Sequence, residues 1–311
     1  MSALPVHRPV YVGDDGALLD VAEAIAADWA ALGVHGSFLA RNLDTGEQLG
    51  FGVDESMPLA SVVKVPVALV VLDRIANGEL DPAQPVTVDP ARSSVGPTGL
   101  AAFRYPAGVA VGDLLLLMLS VSDNAAADAL LDLVPVAEVD ERLRAWGCGE
   151  IRMRHRMNHM YECAAGAAGN DFSLALELAL RDERSGRHTI ATLDPAYANS
   201  GSAAALVELL QRVWCDEVST SAATAELRRL MGLQVFTHRL ASELRADSLR
   251  WSGKTGTFLH LRHEIGVVEA ESGHRVAMAA LTIAGRRAGL APDIDLAIGV
   301  AGREAFEALR G

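Results

Sequence analysis

The sequence predicts an α/β domain, built from two separate pieces of the chain, that holds an inserted helical domain. Three observations support this prediction: strand patterns lie near both ends, helical patterns fill the middle, and 311 residues are enough for one large domain or two interleaved ones. We place the sheet domain at 1–61 and 236–311, and the all-helical domain at 62–235.

The N-terminal part contains one helix and one hairpin. Apolar residues recur at helical spacing over 17–32, and Gly33 supplies a common C-terminal stop. The segments 36–41 and 48–53 flank a turn that contains Gly46, which is typical of two paired strands.

The C-terminal part repeats this combination. The segments 264–270 and 275–284 form a second predicted strand pair, and 294–309 closes the chain as a helix. Between the two ends, helical spacing predicts these segments: 111–119, 124–133, 136–146, 174–184, 202–214 and 222–230.

Composition excludes several classes of protein. With 50% hydrophobic and 22% charged residues, the chain is typical of a globular protein rather than a disordered or collagen-like one. A net charge of −13, from 40 acidic and 27 basic residues, argues against a nucleic-acid partner. The longest apolar stretches, 65–72 and 114–119, are too short to span a bilayer, so we expect no membrane segment.

The first ten residues lack the apolar core of a signal peptide. We therefore expect a cytoplasmic location, the alternative being a leader absent from this sequence. The three cysteines, an odd number in a large chain, imply no disulfide framework and are compatible with a reducing compartment.

Lysine is rare in this chain. Its 27 basic residues comprise 25 arginines and two lysines, Lys64 and Lys254. A buried lysine amine can lose its proton, whereas an arginine guanidinium stays charged. The two lysines are therefore candidate functional groups, unless they are surface residues retained by chance.

Ser61 and Lys64 are three residues apart, in a segment that continues to Pro66. On a helix this spacing places an amine beside a hydroxyl, as a nucleophile and its base require. Pro66 fits only the first turn, so we predict that the helix starts near Ser61 or Val62, with Ser61 at the positive end of the helix dipole. A single Ser-x-x-Lys also occurs by chance around ordinary surface serines.

Two further segments have weak individual signals. Ser122-Asp123-Asn124 offers a hydroxyl for proton relay and an amide for a carbonyl group, although these residue types are also favoured helix caps. In the strand-like segment 250–257, Lys254 lies beside the Thr255 hydroxyl and Gly256 permits close approach of a ligand. The alternative for this last segment is a glycine-bearing turn between strands.

Together and in this order, Ser61-x-x-Lys64, Ser122-Asp123-Asn124 and Lys254-Thr255-Gly256 resemble the signature motifs of class A β-lactamases and the related penicillin-binding proteins. The resemblance extends from the hairpin at 36–53 to the last helix. It implies an α+β fold, with a five-stranded antiparallel sheet flanked by helices, an all-helical domain, and the site in the cleft between them.

The resemblance also implies a role for each matching residue. Ser61 would be the acylated nucleophile, Lys64 its proton acceptor and Ser122 the proton relay to the leaving nitrogen. Asn124 would bind the substrate amide, and Lys254 and Thr255 would hold the substrate carboxylate. Other candidate contributors are the backbone N–H groups of Ser61 and Thr257 as the oxyanion hole, Gly256, Tyr105 at the cleft mouth, and Arg262 at the carboxylate site.

This chain departs from the family in the region that supplies the deacylating base. Class A enzymes use a glutamate in an Ω-shaped loop, within a Glu-x-x-Leu-Asn pattern. The corresponding stretch, 154–163, lacks this pattern and has Met157, Asn158 and His159 near the expected position. The stretch between Ser122 and Lys254 looks longer than in the family, and we place the additional residues in an enlarged, Ω-loop-like insertion at about 160–195. Within it we expect a turn-rich piece at 164–171 and an extra helix at 172–184.

Glu162 is the nearest carboxylate that could take over the role, with Asp171 and Glu177 behind it. The alternative for all three is an exposed charge, as is usual for carboxylates. His155 and His159 have a spacing that can bind a metal on a helix, but no further ligand cluster accompanies them, so we expect neither metal nor cofactor.

Three functions remain open at this point. The first is a serine hydrolase that acylates Ser61 with a β-lactam or a related amide or ester and hydrolyses the adduct slowly. The second is a cytoplasmic acyl transferase in which an amine or alcohol replaces water. The third is a non-hydrolysing protein that binds β-lactams. All three imply a small-molecule partner.

Overall fold

The computed structural model describes residues 9–185, 187–286 and 291–310. Its helices are α1 (Gly16–Ala31), α2 (Lys64–Ala76), α3 (Val111–Ser120), α4 (Asn124–Leu133), α5 (Val136–Ala145), α6 (Met157–Ala168), α7 (Phe172–Ser185), α8 (Ala203–Trp214), α9 (Ser221–Met231) and α10 (Pro292–Ala308). Its strands are β1 (Tyr11–Gly13), β2 (Val34–Asn42), β3 (Gln48–Phe51), β4 (Met57–Pro58), β5 (Pro85–Val88), β6 (Ala107–Ala110), β7 (Ser200–Gly201), β8 (Leu249–Phe258), β9 (Leu261–Ala270) and β10 (Arg275–Ala284). Short 3₁₀ helices lie at Ala60–Val63, Gly99–Ala102, Ala191–Leu193 and Leu240–Glu243.

The main sheet is antiparallel and has the strand order β1-β3-β2-β10-β9-β8. Both predicted strand pairs are present, and β10 lies directly beside β2, so the two ends of the chain share one sheet. The sheet has six strands rather than the expected five, because the short β1 adds to its edge by pairing with β3. The α+β fold class is confirmed, and the domain boundaries at 61/62 and 235/236 stay a prediction.

One face of the sheet packs against α1 and α10, and a cluster of aromatic side chains lies in this core. Trp29 of α1 contacts Phe51 edge to face, with ring centroids 5.3 Å apart, and Phe38 at 5.9 Å. Phe38 and Phe51 lie opposite each other on β2 and β3. Such edge-to-face contacts add to the gain from burying large apolar rings.

The other face of the sheet packs against α8. Side chains from this face, from α8 and from the central helices together form the second core. Helix α2 is the centre of this core, since every residue from Lys64 to Asp73 is buried. From Val65 to Leu72 this helix is apolar, so a buried lysine at its first residue is kept for a reason other than packing.

The structure corrects the sequence-based description of 157–185. The piece at 164–171 is turn-rich only at its end, because α6 continues to Ala168 and stops where Gly169 adopts the left-handed conformation. The extra helix is present as α7, and Asp171 caps it by accepting the N–H groups of Ser173 and Leu174 at 2.9 and 3.1 Å. An αα-hairpin therefore occupies the place where a loop was expected.

Within residues 9–185, 187–286 and 291–310, no helix combines the length and the apolar character needed to cross a membrane.

Candidate active site

The segment that carries Ser61 is fixed by two neighbouring parts of the chain. Strand β4 pairs with β7, and the Leu59 N–H donates to the Asn199 carbonyl at 2.8 Å. Ala60 then adopts a positive φ of 46°, a strained conformation for a residue with a Cβ. Helical backbone begins at Ala60 as a 3₁₀ turn and becomes α2 at Lys64, close to the predicted start.

Lys64 is completely buried and its ammonium group is held by the second motif. Its Nζ atom donates to the Ser122 carbonyl at 2.7 Å, to Ser122 Oγ at 3.3 Å and to Asn124 Oδ1 at 2.7 Å. Burial lowers the pKa of Lys64 to about 7, although the nearby carboxylates of Asp123 and Asp128 oppose this effect. At neutral pH a substantial part of this amine can therefore accept a proton.

The three residues of the second motif have separate contacts. Ser122 has a positive φ of 57°, and Asn124 Nδ2 donates to the Val95 carbonyl at 2.9 Å. Asp123 is the cap of α4, with its Oδ1 atom accepting the N–H groups of Ala125 and Ala126 at 2.9 and 3.2 Å. The capping interpretation thus applies to the aspartate, whereas Ser122 and Asn124 contact the buried amine.

The third motif lies on β8, next to the 3₁₀ turn that carries Ser61. A Cβ atom on Gly256 would lie 2.9 Å from the Leu59 carbonyl oxygen and 3.0 Å from a Val62 methyl group, so a larger residue would force β8 away from this turn. Lys254 is completely buried, and its Nζ atom donates to the Thr255 carbonyl at 2.8 Å. Burial, and then the nearby Lys64 ammonium, lower the pKa of Lys254 well below its ordinary value.

A cavity of about 260 Å³ joins the three motifs. Its lining includes Ser61, Ser122, Asn124, Thr255 and Thr257. The structure therefore brings together hydroxyl and amide groups that are up to 196 positions apart in the sequence, from Ser61 to Thr257.

Comparison with known proteins shows the family of this chain. The model of the β-lactamase enzyme family matches residues 20–309. The chain belongs to this family. Among curated proteins, the β-lactamase regulatory protein BlaB of Streptomyces cacaoi is 46% identical over 264 residues, which cover 80% of this chain and 85% of the relative.

Solved structures show the fold of this β-lactamase-family protein. A β-lactamase from Sphaerobacter thermophilus superposes with a TM-score of 0.76 at 19% identity, covering 93% of this chain and 97% of the other. A variant of PBP-A, solved as an acyl-enzyme complex with penicillin G, gives a TM-score of 0.74 at 18% identity, covering 94% and 96%.

This β-lactamase-family protein also has a buried arginine in the cavity wall, Arg239, which sequence reasoning missed. Its guanidinium donates to Asp295 Oδ1 and Thr257 Oγ1, both at 2.8 Å, and to the carbonyls of His263 and Gly256 at 2.8 and 3.2 Å. No local pattern distinguishes Arg239 from the other 24 arginines of the chain. The predicted Arg262 is buried in the same wall and lines the cavity, and its guanidinium donates to the carbonyls of Leu259 and Leu261 at 3.2 and 3.0 Å.

His263 is a second residue that the sequence did not reveal. Its Nδ1 atom accepts the Thr282 N–H at 2.9 Å, so Nε2 carries the proton and donates to the Pro58 carbonyl at 2.8 Å. Burial lowers the pKa of His263 to about 3, which keeps the ring neutral. This neutral histidine ties the sheet to the strand that precedes Ser61.

Glu162 lies outside the cavity of the three motifs. It is on α6, its side chain is 62% exposed, and its Oε1 atom accepts a hydrogen bond from Asn158 Nδ2 at 2.7 Å. It lines a second cavity of about 370 Å³, together with Asp171, and Tyr161 lines both cavities. Glu177, behind it on α7, lines neither of these cavities.

Two other predicted residues also lie away from the motifs. Tyr105 is 78% exposed and lines none of the cavities described. His155 binds the Asn199 N–H through Nε2 at 3.2 Å, and His159 lies 3.5 Å from a Glu162 oxygen and 3.4 Å from Cys163 Sγ.

Proposed function

We propose that this protein is a serine hydrolase that forms an acyl-enzyme at Ser61 with a β-lactam or a related amide or ester. The observation that carries the proposal is the state of Lys64: a buried amine with a pKa of about 7, one helical turn from Ser61 and bonded to Ser122 and Asn124. A general base is most effective when its pKa lies near the working pH.

In the proposed acylation, neutral Lys64 accepts the Ser61 hydroxyl proton while Ser61 Oγ bonds to the carbonyl carbon. The N–H groups of Ser61 and Thr257 stabilise the resulting oxyanion. The C–N bond then breaks, and the Ser122 hydroxyl protonates the leaving nitrogen. Because Lys64 Nζ lies 3.3 Å from Ser122 Oγ, the ammonium can return its proton to Ser122.

The substrate carries a carboxylate in this proposal. Arg239 and Arg262 are buried in the cavity wall, which Thr255 and Thr257 also line, and Lys254 is buried next to Thr255. Cations that are already desolvated bind an anionic group more strongly than exposed ones do. Asp295 offsets one of these charges through its bond to Arg239.

Hydrolysis of the ester is expected to be slow. Among the described residues that line the cavity, Asp295 is the sole carboxylate, and Arg239 binds it at 2.8 Å. Glu162 is exposed and lines the neighbouring cavity instead. Activation of water by a positioned base typically contributes ~10²–10⁴-fold, so acylation outruns deacylation.

A second candidate function is a regulatory protein that captures β-lactams as a lasting adduct. The relative from Streptomyces cacaoi that shares 46% identity is named a β-lactamase regulatory protein, which favours this candidate. It requires the same acylation at Ser61 but no turnover, so the lifetime of the adduct separates the two.

The test is to mix the purified protein with benzylpenicillin and follow its intact mass. We expect one adduct with the mass of the whole antibiotic, present in the wild type and in Ser173→Ala, a control at an exposed serine, and absent in Ser61→Ala. Decay over minutes to hours with release of penicilloic acid supports the hydrolase, and a stable adduct supports the regulatory protein. Faster decay with added amines supports the acyl transferase, and no adduct at all overturns every form of the proposal.

A further inference from the structure

Glu264 is a completely buried carboxylate that the proposed chemistry does not use. It lies on β9 directly opposite Thr255 of β8. Its Oε1 atom accepts a hydrogen bond from Gln234 Nε2 at 3.0 Å, and its Oε2 atom accepts the Ala241 N–H at 3.4 Å. Burial raises the pKa of Glu264 to about 7, although the neighbouring Arg239 charge opposes this effect. Burying a carboxylate away from water costs free energy, so the groups that Glu264 contacts indicate which part of the structure it stabilises.

Gln234 connects this carboxylate to the strand of the third motif. Its Oε1 atom accepts the Thr255 N–H at 2.5 Å, and its Nε2 atom also donates to the Phe236 carbonyl at 2.9 Å. A glutamine amide could in principle turn over and exchange its oxygen and nitrogen. Here the Phe236 carbonyl can only accept and the Thr255 N–H can only donate, so Nε2 faces Phe236 and the amide oxygen faces Thr255.

The position of this contact on the sheet matters for the cavity. Strand β8 is at the edge of the sheet, and on an edge strand alternate N–H groups point outward without a strand partner. The N–H of Thr255 is one of these outward groups, and it donates its hydrogen bond to Gln234 Oε1. The N–H of Thr257, two residues on, points to the same side, where Thr257 lines the cavity with Ser61.

We propose that Glu264 and Gln234 are positioning residues that fix β8 at Thr255, so that the Thr257 N–H faces the carbonyl oxygen of the group being transferred to Ser61. This inference rests on the proposed acylation. Glu264 acts through Gln234 and touches no reacting atom. A donor that is misplaced by a fraction of an ångström loses much of its effect on an oxyanion, since the stabilisation depends on preorganised geometry.

The first experiment compares the wild type with Gln234→Leu and Glu264→Leu by stopped-flow acylation with a chromogenic cephalosporin. We expect both variants to lower the acylation rate constant by about 10- to 100-fold, because misplaced groups cost rates of this order. The dissociation constant of the non-covalent complex should change by a smaller factor than the rate constant, since Thr255 also contacts the substrate carboxylate in this proposal but the oxyanion forms only during acylation. Glu264→Gln, which keeps an acceptor oxygen, should recover most of the rate.

The double variant Gln234→Leu/Glu264→Leu separates positioning from stability. The double variant removes the buried carboxylate that Gln234→Leu alone leaves without its side-chain donor, so its melting temperature should exceed that of Gln234→Leu. Its acylation rate should stay as low as that of the single variants. A double variant that regains the rate together with the stability would show that the pair is merely structural and would overturn the proposal.

Failure of this inference is distinguishable from failure of the proposed function. A wild type that forms no Ser61 adduct overturns the proposed function before any variant is compared. Equal acylation rates in wild type and Gln234→Leu overturn only the positioning role. Amide hydrogen exchange gives a reading that does not need acylation: the Thr255 N–H should exchange faster in Gln234→Leu, and unchanged protection contradicts the contact on which the inference depends.

Discussion

The ammonium group of Lys64 lies 2.7 Å from Asn124 Oδ1, and this hydrogen bond joins the first motif to the second inside the core. Both side chains are buried, with Lys64 fully inaccessible and Asn124 6% exposed. The amide oxygen and the Ser122 carbonyl are neutral acceptors, so they orient the amine without supplying a full negative charge. The lysine therefore keeps its place while burial makes it a weaker base than a lysine in water.

The acylation rate should follow the protonation of Lys64. Its pKa of about 7 lies below the ordinary value, so the amine is protonated below pH 7 and free to act as a base above it. We expect the acylation rate constant to rise about tenfold per pH unit below pH 7 and to level off above it. Stopped-flow measurements between pH 5 and 9 test this, and a midpoint near pH 10 would contradict it.

Replacing Lys64 by arginine should remove this pH dependence together with the activity. Arginine keeps the positive charge but does not lose its proton in this pH range. We expect Lys64→Arg to slow acylation by about 10²–10⁴-fold, the usual contribution of a general base. Arg92→Lys, a control at an exposed position, should leave the rate unchanged. Normal acylation in Lys64→Arg would mean that another group accepts the Ser61 proton.

Turnover should begin with a burst of one equivalent of product and continue slowly, because the cavity lacks an available carboxylate among the described residues. The exposed position of Glu162 predicts that Glu162→Gln leaves the slow phase unchanged, as should the control Glu23→Gln on α1. Steady-state traces with benzylpenicillin at several enzyme concentrations measure both phases. A slow phase that falls at least tenfold in Glu162→Gln alone would make Glu162 the deacylating base.

Gly256→Ala should damage both stability and acylation. The added methyl group would lie 2.9 Å from the Leu59 carbonyl, and neither of the two backbones that meet there can yield easily. Overpacking of this kind costs about 1–3 kcal/mol. Gly108→Ala on β6 is the matched control, since its added methyl group meets no atom within 4 Å. Urea denaturation and stopped-flow acylation measure the two effects, and equal behaviour of the two variants would refute the close approach.

Arg239→Ala should destabilise the fold far more than loss of an exposed arginine. Its guanidinium donates to Asp295, Thr257 and two carbonyl groups, and its removal leaves the Asp295 charge without this partner. Breaking a buried ion pair costs about 3–5 kcal/mol. Arg303→Ala, which removes an exposed pair with Glu307, should cost about 0–1 kcal/mol. Urea denaturation of both variants at pH 7 gives the comparison.

The sequence by itself determined both strand pairs, most of the helices and the three motifs. Periodicity located both strand pairs and the terminal helices, because amphipathic spacing reflects which face of an element is buried. The scarcity of lysine directed attention to Lys64 and Lys254, and both are completely buried in the structure. This signal is readable from the sequence because it depends on residue type alone: an arginine-rich chain with lysine at only two positions indicates that an amine is required there.

Tertiary structure alone decided which distant groups meet. Arg239 and His263 have no distinctive local pattern, and their importance comes from partners such as Thr257 and Pro58 that only the packed sheet brings close. The same holds for Glu162, whose exposure depends on how α6 packs against α4 and α7. Spacing along a chain encodes the face of a helix or strand, but distances between elements follow from the packing of all side chains between them.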